Sequence, residues 1–340
     1  MKAIGYYQAG NIDAINALQD IEIATPVATG HDLLIAVQAI AVNPVDAKVR
    51  QARQPEEGQP NIIGYDAVGT VKAIGDQVSL FNVGDKVWYA GDITRQGSNA
   101  EYQLVDERIV GHKPQSLTDA QAAALPLTTI TAWEILFDRL GLPKDGSATD
   151  ARIMIIGAAG GVGSILVQLA AKLTGAKVIA TASRQQSRDW VLSLGADVVI
   201  DHSKPLSTEL NNAGFDNVTH VISLNHTDSH FDEIVASLQP QGKIALIDDP
   251  LQPIDIMKLK LKSISLHWEL MFTRSMFATH DMIAQHQLLN EVSQLIDTGT
   301  IKSTLGEHYG HINAANLTRA HQQIETNTSV GKIVLEGFVA

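Results

Sequence analysis

The chain has 340 residues, a hydrophobic fraction of 45%, a mean hydropathy of +0.03 and a formal charge of -12. That length predicts two domains, with apolar content enough for a core in each. The acidic balance argues against nucleic-acid binding, which needs a clustered basic surface. The absence of cysteine excludes disulfides, thiolate zinc sites and thiol nucleophiles.

The opening "MKAIGYYQAGNIDAI" lacks the apolar core of a signal peptide. No apolar run reaches the roughly 18 residues of a membrane span, so a cytoplasmic protein with no membrane partner is expected. Residues 1–125 hold short alternating runs such as "HDLLIAVQAIAVN", "GTVKAIG", "DKVWYA" and "AEYQLVD", separated by Gly, Pro, Asn and Asp. This pattern predicts the short strands of a barrel or sandwich. After Pro126 the texture changes. "RIMIIGA" (152–158) reads as a buried parallel strand, and "GSILVQLAAKLTGA" as a helix with Ile165, Leu169 and Leu173 on one face. Strand, helix and strand then recur in "KVIATAS", "RQQSRDWVLSLGA", "DVVID", "HVISLN", "FDEIVASLQPQG" and "KIALID". The alternation predicts a parallel sheet with helices on both faces. A third texture closes the chain, with a helix over 281–299 stopping at Gly299, a second helix "AANLTRAHQQIE" and a strand "GKIVLEGF".

The stretch "IIGAAGGVGS" (155–164) lies between a strand and a helix, with another strand about 20 residues on, the context of a dinucleotide site. Ala159, Gly160, Gly161, Val162 and Gly163 are the candidate pyrophosphate cradle, where backbone N–H groups and the helix's positive end meet the phosphates. In G-x-G-x-x-G register the first glycine position is Ala158, so the turn must use a φ that alanine tolerates. NAD sites carry an acid at the end of the second strand for the ribose 2′-hydroxyl. Here Ser183 and Arg184 stand there, with no acid before Asp189. A hydroxyl and a guanidinium suit a 2′-phosphate, so NADPH is the expected cofactor. Arg188 lies one helical turn on, and either arginine could instead solvate the helix start. His202, after the third strand, is a further candidate beside the adenosine phosphate.

These features resemble the medium-chain dehydrogenase/reductase superfamily, its quinone oxidoreductase branch, and most closely the bacterial zinc-type alcohol dehydrogenase-like group. The resemblance is carried by "AVNPVDAKVR" (41–50), "NIIGYDAVGTVKAIGDQVSLFNVGDKVWYAG" (61–91), "AAALPLTTITAWEIL" (122–136), "IIGAAGGVGS", "HWELMFTRSMF" (267–277) and "GKIVLEGF" (331–338). It implies an α/β protein: a chaperonin-10-like β-barrel catalytic domain (1–125), a Rossmann doubly wound parallel-sheet domain (126–270), and a C-terminal segment (271–340) that completes the catalytic domain. It also implies a homodimer. Thr131 matches a residue lining the cofactor in relatives, and Lys332 matches a C-terminal position close to it.

Departures from that family set the expected chemistry. Zinc-dependent relatives hold catalytic zinc with a Cys in the segment matching "NPVD" and a His in the segment matching "GYDAVG". This chain has Asn43 and Tyr65 there and lacks the Cys-rich structural-zinc loop. No metal site is expected; His226 and His230 have i, i+4 spacing but follow a strand of the nucleotide domain. Without a Lewis acid, hydride should pass to an acceptor that spreads its own charge, a quinone or conjugated enone. Carried over from the matching segments, Asn43 is the candidate oxyanion donor, Tyr65 the candidate proton donor, and Asp46 the group that orients Lys48 or Tyr65. Asn43 and Asp46 could equally do no more than order the turn around Pro44. Trp268, Met271, Phe272, Met276 and Phe277 would form core, an interface or an apolar pocket. Two other readings are open: a 2-enoyl or alkenal double-bond reductase, and an NADPH-binding protein with little turnover.

Overall fold

In the computed structural model, which describes residues 1–338, the alternating run at 31–42 forms the longest strand, Asp32–Val42. Its inward residues Leu33, Ile35 and Val37 are buried, as period-two patterning requires. Around it is built the first of two compact units, Met1–Ile130 with the segment from Phe272 onward. The main sheet runs in the order Leu305–His308, Lys332–Glu336, Asp32–Val42, Ala67–Ile74, Lys86–Tyr89, Val110–His112, and Tyr102–Asp106 also pairs with Asp32–Val42. Every pairing is antiparallel except Leu305–His308 with Lys332–Glu336. A second, antiparallel sheet joins Gln19–Glu22, Lys2–Tyr6 and Asn61–Ile62.

Register gathers the polar residues of this unit. Val42 pairs with Ile333, and Ile40 with Ala67. Asn43 follows Val42, Asp66 precedes Ala67, and Lys332, which pairs with Leu305 on its other side, precedes Ile333, so three remote segments meet at one end of the sheet.

The second unit, Thr131–Met271, holds six parallel strands: β1 Arg152–Ile156, β2 Lys177–Thr181, β3 Val198–Ile200, β4 Val218–Ser223, β5 Leu238–Leu246 and β6 Ser265–Trp268. Their spatial order is β3-β2-β1-β4-β5-β6, the doubly wound Rossmann order. Four helices follow the first four strands: α1 Gly161–Leu169, α2 Gln185–Ser193, α3 Leu206–Asn212 and α4 Thr227–Ser237. Because helices cover the sheet, its strands are apolar on successive residues. Met154, Ile156, Ile179, Val221, Ile244 and Leu246 share one core with Phe231 and Ile234 of α4.

The glycine-rich turn is shaped by close approach. Gly157 takes φ +78, so the residue before Ala158 absorbs the left-handed turn and Ala158 keeps a negative φ. A Cβ on Gly163 would lie 2.4 Å from the Ala158 carbonyl oxygen, so only glycine lets α1 sit this close to the turn after β1. Trp190 of α2 donates to the Ser164 hydroxyl at 2.8 Å, and Ser164 donates to the Gly160 carbonyl at 2.7 Å, which holds the start of α1 in place.

Candidate active site

The first unit buries a continuous polar cluster. Asp66 is fully buried, and Lys332 and Asn43 are 2% and 1% exposed. The Lys332 ammonium donates to Asp66 Oδ2 at 2.9 Å, to the Val42 carbonyl at 3.1 Å and to Asn43 Oδ1. Asp66 also accepts from Asn43 Nδ2 at 2.8 Å and from the Leu127 N–H at 2.7 Å. Burial pushes the Asp66 carboxyl up, and the Lys332 cation and these donors pull it back down. All three ammonium protons of Lys332 are therefore engaged inside the barrel, and Asn43 is held at both ends of its amide.

Asn43 also precedes the helix Pro44–Ala52. Pro44 suits the first helical position, and Asp46 in the first turn reaches back to accept from the Asn43 N–H at 2.7 Å through Oδ2. The other oxygen, Oδ1, is buried with no hydrogen-bond partner. Burial raises this carboxyl to about 7, against the opposing Asn43 N–H bond and the Lys332 charge. Lys48, by contrast, is exposed.

Tyr65 is fully buried, with its ring edge-on to Phe272 at 5.4 Å between centroids. Its hydroxyl makes no hydrogen bond of standard geometry, and the Arg53 guanidinium is a neighbouring cation that acts on it. Burial first, and the Asp46 charge second, push its pKa far above the phenol range. A neutral O–H and a carboxyl that titrates near neutrality thus share one site.

In the second unit no side chain caps α1, whose N-cap is Gly160. The first-turn N–H groups at residues 161–163 are left for an anion, and the helix dipole adds to their pull. Ser183 and Arg184 are exposed just beyond β2. Arg188 instead turns inward, donating to the carbonyls of Ala182 (3.2 Å) and Val199 (3.1 Å). His202 follows β3 with Nδ1 buried and unpartnered, and its ring meets His230 edge-on at 6.3 Å. Thr131 is 5% exposed on the helix Pro126–Trp133. The 267–277 segment divides: Met271 and Phe272 are buried, whereas Trp268, Leu270, Met276 and Phe277 are exposed.

Sequence reasoning gave no role to Asp66 or Gly157, and weighed His226 and His230 only as metal ligands. A lone acid in the apolar run "NIIGYDAVGTV" was the available signal for Asp66, because a charge inside a strand-like run needs a buried partner.

Among the described residues no group of three or more His, Cys, Asp or Glu side chains could hold a metal ion. Asn43 and Tyr65 are poor zinc ligands, and the fixed Lys332 cation already neutralises Asp66.

Residues 29–115 match the Alcohol dehydrogenase GroES-like domain, and residues 194–335 match the Zinc-binding dehydrogenase family. A zinc-type alcohol dehydrogenase-like protein of Staphylococcus epidermidis is 39% identical over 98% of this chain and 99% of its own. A crystal structure from Rhizobium etli CFN 42, provisionally designated a zinc-dependent alcohol dehydrogenase, superposes with a TM-score of 0.95 at 51% identity, covering 100% of this chain and 99% of that one. The NADPH-dependent alkenal/one oxidoreductase of Arabidopsis thaliana is 29% identical over 98% of this chain and 79% of its own. With a Rossmann sheet in one unit, a GroES-like domain in the other, and likeness over nearly its full length, the chain belongs to the medium-chain dehydrogenase/reductase superfamily of oxidoreductases, in its zinc-type alcohol dehydrogenase-like group.

Proposed function

We propose that the protein is an NADPH-dependent, zinc-independent reductase of quinones or conjugated carbonyls. The observation that carries this reading is the makeup of the barrel site. Where zinc-dependent relatives have thiolate and imidazole ligands, it holds a Lys332–Asp66–Asn43 network and a buried Tyr65 hydroxyl. A site without a Lewis acid polarises a carbonyl only through hydrogen bonds, which suits an acceptor that delocalises charge onto oxygen. The Arabidopsis relative, named for NADPH and for alkenals and alkenones, supports the same class.

A bound nicotinamide nucleotide supplies the hydride. This chain's residues do the rest. The first-turn N–H groups of α1 bind pyrophosphate, and Ser183 and Arg184 bind the 2′-phosphate. Tyr65 keeps its proton at Oη across the physiological range and gives it to the enolate or phenolate oxygen. The charge of Asp46 acts on Tyr65 and favours the neutral phenol, and the proton given up at Oη is replaced from solvent as product leaves. Lys332 and Asp66 act as positioning residues: they hold Asn43, whose N–H fixes Asp46. The fit of the residues to zinc is poor, and no step requires it. The reading includes a cytoplasmic homodimer, checked by light scattering on the purified protein.

The test is a spectrophotometric panel of quinones, enals, enones, saturated aldehydes and primary alcohols with NADPH and NADP+. Quinones or enones should turn over, while saturated aldehydes and simple alcohols stay poor. Tyr65→Phe should lower kcat by about 10- to 100-fold, within the range of general acid catalysis, while NADPH affinity holds within about twofold. An unchanged kcat reduces Tyr65 to packing. Faster enal than quinone turnover favours the double-bond reductase. Tight NADPH binding with no turnover identifies a binding protein, and metal-free ethanol oxidation with inert enones overturns the substrate class.

A further inference from the structure

The second unit carries a histidine group that the reaction does not use. His202 follows β3, His226 is the N-cap of α4 in the left-handed region (φ 52), and His230 lies one turn into α4. The rings of His202 and His230 meet edge-on at 6.3 Å, and His202 Nδ1 is buried without a partner. His226 and Arg184 both act electrostatically on His202, and His202 and His226 act on His230. The group adjoins the glycine turn: Asn225, next to His226, places its Oδ1 2.8 Å from where a Cβ on Gly157 would lie.

We propose that His202 and His230, beside Arg184 and His226, form a titratable wall for the cofactor's ribose phosphate, so that preference for the phosphorylated dinucleotide strengthens as pH falls. This rests on the NADPH reading above and assigns that site a regulation by pH. Burial holds both His202 and His230 below the ordinary imidazole range, and their neighbours of like charge add to it: His226 and Arg184 for His202, His202 and His226 for His230. Without a ligand, the His202 and His230 rings are therefore mainly neutral at neutral pH. A phosphate dianion reverses the balance, because each imidazole that takes up a proton gains an opposite charge and a charge-assisted hydrogen bond. Asp201, Asp228 and Glu233 act on these rings, Asp248 lies beside His226, and each is engaged elsewhere, Asp248 by the N–H and hydroxyl of Thr227. Asp201 accepts from the Ser203 N–H and hydroxyl, Asp228 from the N–H groups of Leu251 and Gln252, and Glu233 from the N–H and hydroxyl of Ser207. They oppose burial at His202 and His230 without overcoming it. An NADH ribose offers only hydroxyls there and takes up no proton.

The experiment is calorimetric titration of the intact protein with adenosine 2′,5′-bisphosphate and with 5′-AMP, from pH 6.5 to 8.5, in buffers of different ionisation enthalpy. Proton uptake n on binding makes log Kd change with slope n in pH, so one proton gives up to about a tenfold tighter Kd per unit fall in pH. The bisphosphate should tighten about three- to tenfold per unit, with uptake visible in the buffer dependence, and AMP should change less than about twofold. Protonation of the phosphate itself, with a pKa near about 6, works in the opposite direction, so it cannot mimic the result. His202→Gln and His230→Gln should flatten the slope while retaining bisphosphate binding. Should either variant fail to fold, the wild-type proton uptake still decides. A bisphosphate-to-AMP affinity ratio well above one but independent of pH overturns this proposal and leaves the NADPH reading standing. A ratio near one at every pH overturns the cofactor reading, and this proposal with it.

Discussion

Replacing Lys332 by methionine removes an ammonium that is 2% exposed and donates to Asp66, Asn43 and the Val42 carbonyl. Asp66 keeps its bonds from Leu127 and Asn43 but loses the Lys332 cation bonded to it. Orphaning one member of a buried ion pair costs about 3–5 kcal/mol, because the remaining charge has neither solvent nor partner. Two lost acceptor contacts, at Asn43 Oδ1 and Val42, place the expected value toward the upper end of that range. Asp66→Asn alone should cost a similar amount by stranding the Lys332 cation. The double variant removes both charges, so its cost should fall short of the sum of the singles by about 2 kcal/mol or more. The assay is urea unfolding of wild type, both single variants and the double variant, followed by a probe in the barrel unit at pH 8 and pH 5.5. The Lys332→Met penalty should shrink at the lower pH, by up to about 1.4 kcal/mol per unit, because the stranded Asp66 can then take up a proton. Additivity within about 0.5 kcal/mol, or a Lys332→Met penalty independent of pH, would refute the reasoning that this pair is a coupled, desolvated unit.

Three further outcomes are expected. Arg184→Ala should weaken NADPH by about 10- to 100-fold and leave NADH nearly unchanged, since a charge-assisted bond is worth about 1.5–3 kcal/mol; equal weakening of both in fluorescence titrations removes Arg184 from the site. Protein purified without added metal should contain zinc well below one per subunit by atomic spectroscopy, and chelator should leave turnover unchanged; one tightly held zinc required for activity would overturn the zinc-free reading. Glu269, 3% exposed and bonded to Arg139 Nε at 2.7 Å, is pushed far above its ordinary carboxylate value by burial and by neighbouring Glu134. Its folded pKa exceeds the unfolded one, so its contribution is fully present below about pH 4.5 and is lost as pH rises through the folded value. Thermal unfolding of Glu269→Gln should therefore depend less on pH between about 4.5 and 9 than wild type, and parallel curves would remove Glu269 as the source.

The sequence alone was enough to establish the parallel nucleotide-binding sheet, because buried parallel strands are continuous apolar runs and amphipathic helices repeat between them. "RIMIIGA" and "KVIATAS" carry that signal locally, and "IIGAAGGVGS" carries the turn between strand and helix. The missing acid after β2 and the missing cysteines are likewise one-dimensional facts, and they were sufficient to direct attention to NADPH and away from zinc. Tertiary structure decided what each polar residue is free to do. The sequence offered Asn43 as an oxyanion donor and Lys332 as a neighbour of the cofactor one at a time; the structure shows the Asn43 amide held by Asp66 and Lys332, and the Lys332 ammonium buried against both. Arg184 and Arg188 look alike in sequence, but only the structure turns Arg188 back onto the carbonyls of Ala182 and Val199. No local pattern could have joined Asn43, Asp66 and Lys332, which are up to 289 residues apart. Strand register brings their backbones together, and burial then forces their charges and amides to satisfy one another, because a desolvated polar group without a partner costs more than the fold can spare.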